Sequence, residues 1–320
     1  MQQRTYGREK LSKEYIEKKL KASGISLKVE VTEETASTNT LLSEYAKAGE
    51  CRDMLLLAEH QTGGRGRKGR SFHSPKGTGV YMSLLLHPGV PAGEVSMLTA
   101  LAAAATAKAI EKVSGKEAGI KWVNDIFVEG KKAVGILTEA SGTLTEGMFD
   151  YVIVGIGINV YEPEGGFPEE IRKIAGAVFS ASEHPGWEAV PEKNAIAQNN
   201  GSKKVPSGEK DKEESRNYRS LIAIQAVKEF MAFYKDFPQK TYLEEYRSRS
   251  FLIGREVRVI PTEQITGSVE ETGRVADAGQ GQVPVYAKVL GIDRQCRLQV
   301  RYEDGREEFL SNGEVSIRER

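Results

Sequence analysis

Cysteine is almost missing: Cys51 and Cys296 are the only two in 320 residues. They stand far apart, with no CxxC pair and no histidine at metal-ligand spacing, so nothing indicates a disulfide framework or a structural zinc site. Two buried free thiols are the expectation. Net charge is missing too, because 45 Lys+Arg balance 45 Asp+Glu. That removes whole-chain electrostatic attraction to nucleic acid and leaves only a local basic patch open. The opening residues MQQRTYGREKLSKEYIEKKL contain no apolar run that could serve as a signal peptide or spanning helix. A cytoplasmic protein with no membrane partner is therefore expected. No Walker GxxxxGK[ST] occurs, and no GxGxxG opens a helix after a strand, which argues against an ordinary P-loop or Rossmann site.

What is present fits a globular chain, with 39% hydrophobic and 28% charged residues and no sign of wholesale disorder. The length exceeds one ordinary domain of about 100–200 residues, so two are expected: 1–250, and a small β-barrel of SH3-like size over 251–320. The first domain reads as α+β with one mixed or antiparallel sheet. Its predicted elements are a helix over Leu11–Ser23, strands near Leu27–Thr32 and Met54–Ala58, and between them a helix capped by Ser37-Thr38-Asn39. A strand at Val80–Leu86, an alanine-rich helix at Ser96–Val113 and hairpins through Ile120–Val160 follow. The polar segment 183–216 has no apolar period and reads as an insertion. Helices at Tyr218–Tyr234 and Gln239–Ser250 complete the domain. In the last part Val257, Val259, Leu298, Val300, Tyr302, Phe309, Val315 and Ile317 mark an alternating inner face.

Three stretches carry chemistry. The loop Gln61–Arg70 sets four cations among four glycines, so the backbone can approach an anion that the side chains surround. Composition alone leaves a solvated basic turn and an arginine–glycine segment for RNA equally open, although Phe72 is the one aromatic nearby for base stacking. In Lys121-Trp122-Val123-Asn124-Asp125 a lysine stands on a predicted strand, on one face with Val123, and needs an anionic partner. A salt-bridged lysine at the core edge satisfies the same pattern. In Gly155-Ile156-Gly157-Ile158-Asn159-Val160 glycine alternates along a strand, which suits either a flat ring lying on the backbone or a closely packed helix. The isolated His73 reads as a surface or hydrogen-bonding histidine.

Taken in order with Ser37-Thr38-Asn39 and Lys132-Ala133-Val134-Gly135-Ile136-Leu137-Thr138-Glu139, these motifs resemble those of biotin–protein ligases. The likeness is strong over about residues 25–180 and weaker in the C-terminal part. It implies a class II synthetase-like catalytic domain that joins biotin to ATP, with Mg²⁺ carried by the nucleotide, as biotinyl-5′-AMP. The biotin then passes to a lysine of a biotin carboxyl carrier protein. By the same resemblance Ser37, Thr38, Asn39 and Gln61 line the biotin pocket. Arg65, Gly66 and Arg67 hold the carboxylate and α-phosphate, and Arg70 holds the phosphates. Lys121 binds carboxylate and adenylate and is, with Arg67, the expected catalytic group. Phe72, Lys132 and Asn159 face the nucleotide, and no resident metal is implied.

Phe72 stands where family members often carry tryptophan, and Val123 replaces the usual proline of the lysine motif. The segments 183–216 and 262–285 are unusual, and no function is assigned to either. Some family members bear an N-terminal helix-turn-helix; 36 residues precede Ser37 here, too few for that three-helix unit, so no operator binding is expected. A homodimer is left open. Two other readings stand beside this one. A lipoate- or octanoate-attaching enzyme needs no hydrogen bonds for a ureido ring, so the polar set at Ser37–Asn39 and Gln61 argues against it. An RNA-binding module on Arg65–Arg70 suffers from the neutral charge and few aromatics.

Overall fold

The computed structural model describes residues 10–87, 91–145, 147–180, 183, 217–260, 285–311 and 314–317. Apart from Glu183 and Val285, the segments 183–216 and 262–285 lie outside these described residues. The chain divides into two compact units, Met1–Arg249 and Ser250–Arg320.

The first unit runs α1 (Lys13–Lys21), β1 (Lys28–Thr35), α2 (Thr38–Lys47), β2 (Met54–Gln61), β3 (Gly79–Leu86) and α3 (Val95–Ser114). It continues with β4 (Ala118–Lys121), β5 (Asp125–Val128), β6 (Lys131–Thr145), β7 (Met148–Asn159), α4 (Tyr218–Lys235) and α5 (Tyr242–Ser248). One seven-stranded sheet results, in the order β1-β2-β3-β7-β6-β5-β4. Among the described strands of this sheet β1 and β2 alone pair in parallel, joined through helix α2, while the remaining neighbours are antiparallel, most of them consecutive in sequence and β3 with β7 across α3, β4, β5 and β6. The expected α+β class with a mixed sheet is what the chain adopts.

Helix α2 packs on one face of the sheet, its Leu42 clustering with Met54, Leu56, Leu85, Tyr151 and Ile153. Helix α3 packs on the other, where its buried alanines allow close approach and Thr99 Oγ1 donates to Thr138 Oγ1 at 2.8 Å. Helix α4 is buried more widely than a single stripe: Ile222, Ala223 and Ala226 are covered, while the apolar Leu221 and Met231 are half-buried. Its Arg219 is fully buried, pairing with Glu59 at 2.7 Å and donating from Nε to the Gly79 carbonyl at 2.7 Å. Glu59 also accepts from the Leu11 amide at 2.6 Å. A buried charge pair of this kind is satisfied on both sides, which is the condition for tolerating its desolvation.

The second unit contains β8 (Glu256–Ile260), β9 (Val285–Ile292), β10 (Leu298–Tyr302), β11 (Glu307–Leu310) and β12 (Glu314–Ile317), paired antiparallel in the order β11-β10-β9-β8-β12. These pairings establish a small antiparallel sheet and not its closure into a barrel. Val257, Val259, Leu298, Val300 and Val315 are buried as the alternation predicts. Phe309 is not: it is 42% exposed, and Leu310 takes the inner place. The register explains the difference, since Leu310 faces Leu298 while Phe309 faces Gln299 on the outer side. The expectation of two buried thiols also fails for Cys51, which is exposed, whereas Cys296 is buried. No helix among the described residues is long and apolar enough to cross a membrane.

Candidate functional site

Residues directly opposite in an antiparallel ladder share a face, and the register of this sheet lines up one row across five strands. Tyr81 on β3 faces Gly157 on β7, Gly157 faces Gly135 on β6, Gly135 faces Asp125 on β5, and Asp125 faces Lys121 on β4. The neighbouring row holds Ser83, Gly155 and Leu137. A strand spacing of about 4.8 Å puts the Lys121 backbone roughly 14 Å across the sheet from Gly157. Val123 does not share that face by strand alternation, because Trp122–Asn124 form a turn. The Tyr246 hydroxyl of α5 anchors this turn by donating to the Val123 carbonyl at 3.1 Å.

The glycines on these rows leave room for two side chains of the chain itself. A Cβ at Gly155 would collide with the Asn39 amide, and one at Gly157 would sit 2.5 Å from the Phe72 ring. Helix packing thus accounts for the first glycine and a flat ring for the second. Phe72 also meets Tyr81 edge-on, with centroids 6.5 Å apart.

Above this floor a cleft is lined by Ser37, Thr38, Asn39, Gln61, Arg65 and Phe72 among others. Ser37 occupies the N-cap position of α2, as the sequence implies, but its side chain makes no cap hydrogen bond. Gln61 does that work instead: its Oε1 accepts from the Thr38 amide at 2.8 Å, satisfying a helix-end donor. The same oxygen lies 3.1 Å from the Thr38 hydroxyl, and Gln61 Nε2 donates to Ser74 Oγ at 3.0 Å. Ser83, fully buried, reaches Thr38 Oγ1 at 2.7 Å and Asn39 Oδ1 at 2.6 Å. Two hydroxyl protons serve these three oxygen–oxygen contacts, so the group can rearrange toward either a donor or an acceptor. Asn39 Nδ2 donates to the Leu137 carbonyl at 3.2 Å and to Glu139 Oε2 at 2.8 Å. Oxygen toward Ser83 and nitrogen toward two acceptors fix the orientation of that amide.

The basic loop closes on itself beside the cleft. Phe72 N donates to Gly64 O at 2.8 Å, and Gly66 N donates to Arg70 O at 2.7 Å across a tip where Lys68 and Gly69 both have left-handed backbone. Gly64 is required here because a Cβ would strike the Phe72 carbonyl and Ser74 Oγ. Arg65 pairs with Glu139, Nη2 to Oε1 at 2.9 Å, and Arg67 Nη1 donates to Asn124 Oδ1 at 3.1 Å, tying the loop to the lysine turn. Arg70 is exposed at the end of the loop.

Of the other predicted residues, Lys121 is half-buried with its ammonium 5.9 Å from the Phe127 ring centroid. Lys132 pairs with Asp125 at 2.7 Å and passes over Gly135 on the side where Phe72 lies. Asn159 is buried and donates to the Gly176 carbonyl at 2.9 Å. Gly66, Arg67, Arg70, Lys121, Lys132 and Asn159 are not among the residues that line the cleft. His73, half-buried and edge-on to Phe167, has its pKa lowered by burial. Reasoning from sequence missed Ser83, Ser74 and Glu139 as members of this network. Ser83 had a signal, being the one polar residue within the apolar strand VYMSLLL.

The fold is shared with known proteins. Residues 31–159 match the family model of the biotin/lipoate A/B protein ligases. The bifunctional ligase/repressor BirA of Bacillus subtilis is 43% identical over 147 residues, 46% of this chain and 45% of the relative. The chain thus spans about half the length of that relative. BirA of Salmonella typhimurium is 33% identical over 288 residues, 88% of this chain and 72% of that protein. The structure of biotin protein ligase from Aquifex aeolicus in complex with biotin and ATP superposes with a TM-score of 0.61 at 24% identity, covering 91% of this chain and 98% of that one. A fold held in common, and one-third identity sustained over most of both chains, establish that this chain belongs to the biotin protein ligase family.

Proposed function

We propose that this protein activates biotin with ATP and transfers it to a lysine of a biotin carboxyl carrier protein in the cytoplasm. In the first step a biotin carboxylate oxygen attacks the α-phosphorus and pyrophosphate leaves, giving biotinyl-5′-AMP. In the second, the carrier amine attacks the acyl carbon and AMP leaves. Mg²⁺ accompanies the ATP phosphates. The observation that carries this reading is the juxtaposition of polar groups with a residue of the cationic loop in one cleft: Thr38, Asn39 and Gln61 line it together with Arg65, and Ser83 backs Thr38 and Asn39 from below.

A ureido ring offers one carbonyl acceptor and two N–H donors. The rearrangeable hydroxyls of Thr38 and Ser83, with Ser37, Asn39 and Gln61 around them, can answer both. A linear acyl chain offers these groups no donor or acceptor to exchange their mutual hydrogen bonds for, which disfavours lipoate or octanoate. Arg65, Gly66 and Arg67 take the carboxylate and α-phosphate, with Arg70 on the outer phosphates. Lys121 supplies a cation on the sheet row that leads to the cleft, where charge develops on the phosphoryl oxygens. Phe72, Lys132 and Asn159 form the nucleotide side; with its amide hydrogen on Gly176, Asn159 keeps Oδ1 to accept from a base.

Pyrophosphate release from ATP and Mg²⁺, measured with biotin, lipoate and octanoate in turn, tests the reading. Biotin alone should stimulate it, and Lys121→Ala should lower the rate by about 10²–10³-fold while circular dichroism stays unchanged. Release that no acid stimulates would leave the family membership and withdraw the activity.

A further inference from the structure

We infer that Glu139 is a positioning residue that organises the acid pocket and the anion loop through one carboxylate. The inference rests on the ligase reading above and adds to it a group that acts only through its neighbours. Glu139 extends from β6 and accepts from Asn39 Nδ2 at 2.8 Å. Its Oε1 lies 2.9 Å from Arg65 Nη2 and its Oε2 3.4 Å from Arg65 Nη1. The two residues that touch Glu139 come from helix α2 and from the basic loop, 26 positions apart in sequence, and both line the cleft.

The geometry of the Arg65 pair is what makes it useful to a ligand. Glu139 meets the guanidinium end-on, through its two Nη atoms, so the edge formed by Nε and one Nη stays available for a second anion. The carboxylate of Glu139 has the same charge as the expected substrate groups and keeps them to that other edge. An arginine that is half exposed would otherwise sample many rotamers, and holding it in one shortens the list of arrangements a bound anion must select from. Exposed ion pairs contribute little to stability, and Glu139 and Arg65 are 31% and 51% exposed, so the pair's consequence falls on ligand binding more than on folding. On the other side, Glu139 is the closer of the two acceptors, with the Leu137 carbonyl, that hold the nitrogen end of the Asn39 amide.

The two contacts can be separated. In Glu139→Gln the side-chain carbonyl still accepts from Asn39, but the carboxylate hold on Arg65 is lost; Glu139→Ala removes both. With unchanged circular dichroism and melting, Glu139→Gln should speed escape of biotinyl-5′-AMP by about tenfold and raise the KM for biotin only modestly. Glu139→Ala, which also frees Asn39, should raise that KM further. In an Arg65→Ala background, Glu139→Gln should have no further effect on adenylate escape. Wild-type escape rates in Glu139→Gln, or an effect that persists undiminished without Arg65, would overturn the inference while the ligase reading stood. A wild-type protein that forms no adenylate would overturn the reading and the inference together.

Discussion

The Phe72 ring lies on the backbone of Gly157, close enough that a single methyl group there would sit 2.5 Å from its edge. This ring comes from the end of the basic loop and also lies against Gly135, so the loop is seated on the sheet over two paired glycines. Gly157→Ala should therefore destabilise the protein by about 1–3 kcal/mol through overpacking. Adding Phe72→Ala should relieve most of that increment, as read from urea denaturation of the two singles and the double. Equal costs for Gly157→Ala in both backgrounds would show that the ring is not the obstacle.

Arg67 and Asn124 form the second attachment of the loop, at 3.1 Å. Arg67→Ala removes the cation itself, and biotinyl-5′-AMP should escape at least tenfold faster, a loss on the order of 1.4 kcal/mol or more. Asn124→Ala leaves the cation but not its placement, and should show a smaller increase in the same direction. Stopped-flow dissociation measures both; an Asn124→Ala effect larger than that of Arg67→Ala would mean that the turn acts on the ligand by another route.

Ser83 supplies the hydroxyl between Thr38 and Asn39. Ser83→Ala leaves the Asn39 oxygen without its protein donor in a buried setting, which costs about 1–3 kcal/mol. Weaker biotin binding by calorimetry, with ATP affinity little changed, is the expected signature. A parallel loss for both ligands would place Ser83 in general packing.

Tyr81 is fully buried, and burial raises its phenol pKa to about 12. Because the folded pKa is above the unfolded value of 10, the neutral phenol contributes stability in full below pH 10, and that contribution is lost as pH rises from 10 toward 12. Phenolate absorbance in wild type minus Tyr81→Phe should show one late-titrating tyrosine. Its disappearance from the late phase of the wild-type titration, with the fold intact, would contradict the burial.

Local pattern was legible where one property repeats along the chain. The apolar positions Leu11, Tyr15, Ile16 and Leu20 are all buried as their helical spacing predicts, and the turn at Glu129-Gly130 adopts the left-handed backbone that a tight hairpin requires. The site motifs were legible as stretches, because glycine and arginine in Gln61–Arg70 stand out against any neighbouring pattern. Phe309 shows the limit: alternation alone cannot tell Phe309 from Leu310, since a register shift of one residue exchanges their faces, and only pairing with β10 decides between them.

The sequence by itself determined the class of fold, the succession of elements, the basic loop, the polar triplet before α2 and the family to which these belong. Tertiary structure alone decided what meets what. That Gln61 caps α2 in place of Ser37, that Ser83 from the middle of an apolar strand bridges Thr38 and Asn39, and that Glu139 joins Asn39 to Arg65 all depend on strand order and register. Hydrogen bonds and ion pairs act over about 3 Å, whereas Asn39 and Glu139 are 100 residues apart; local propensity contains no information over that distance, and the sheet that brings them together does.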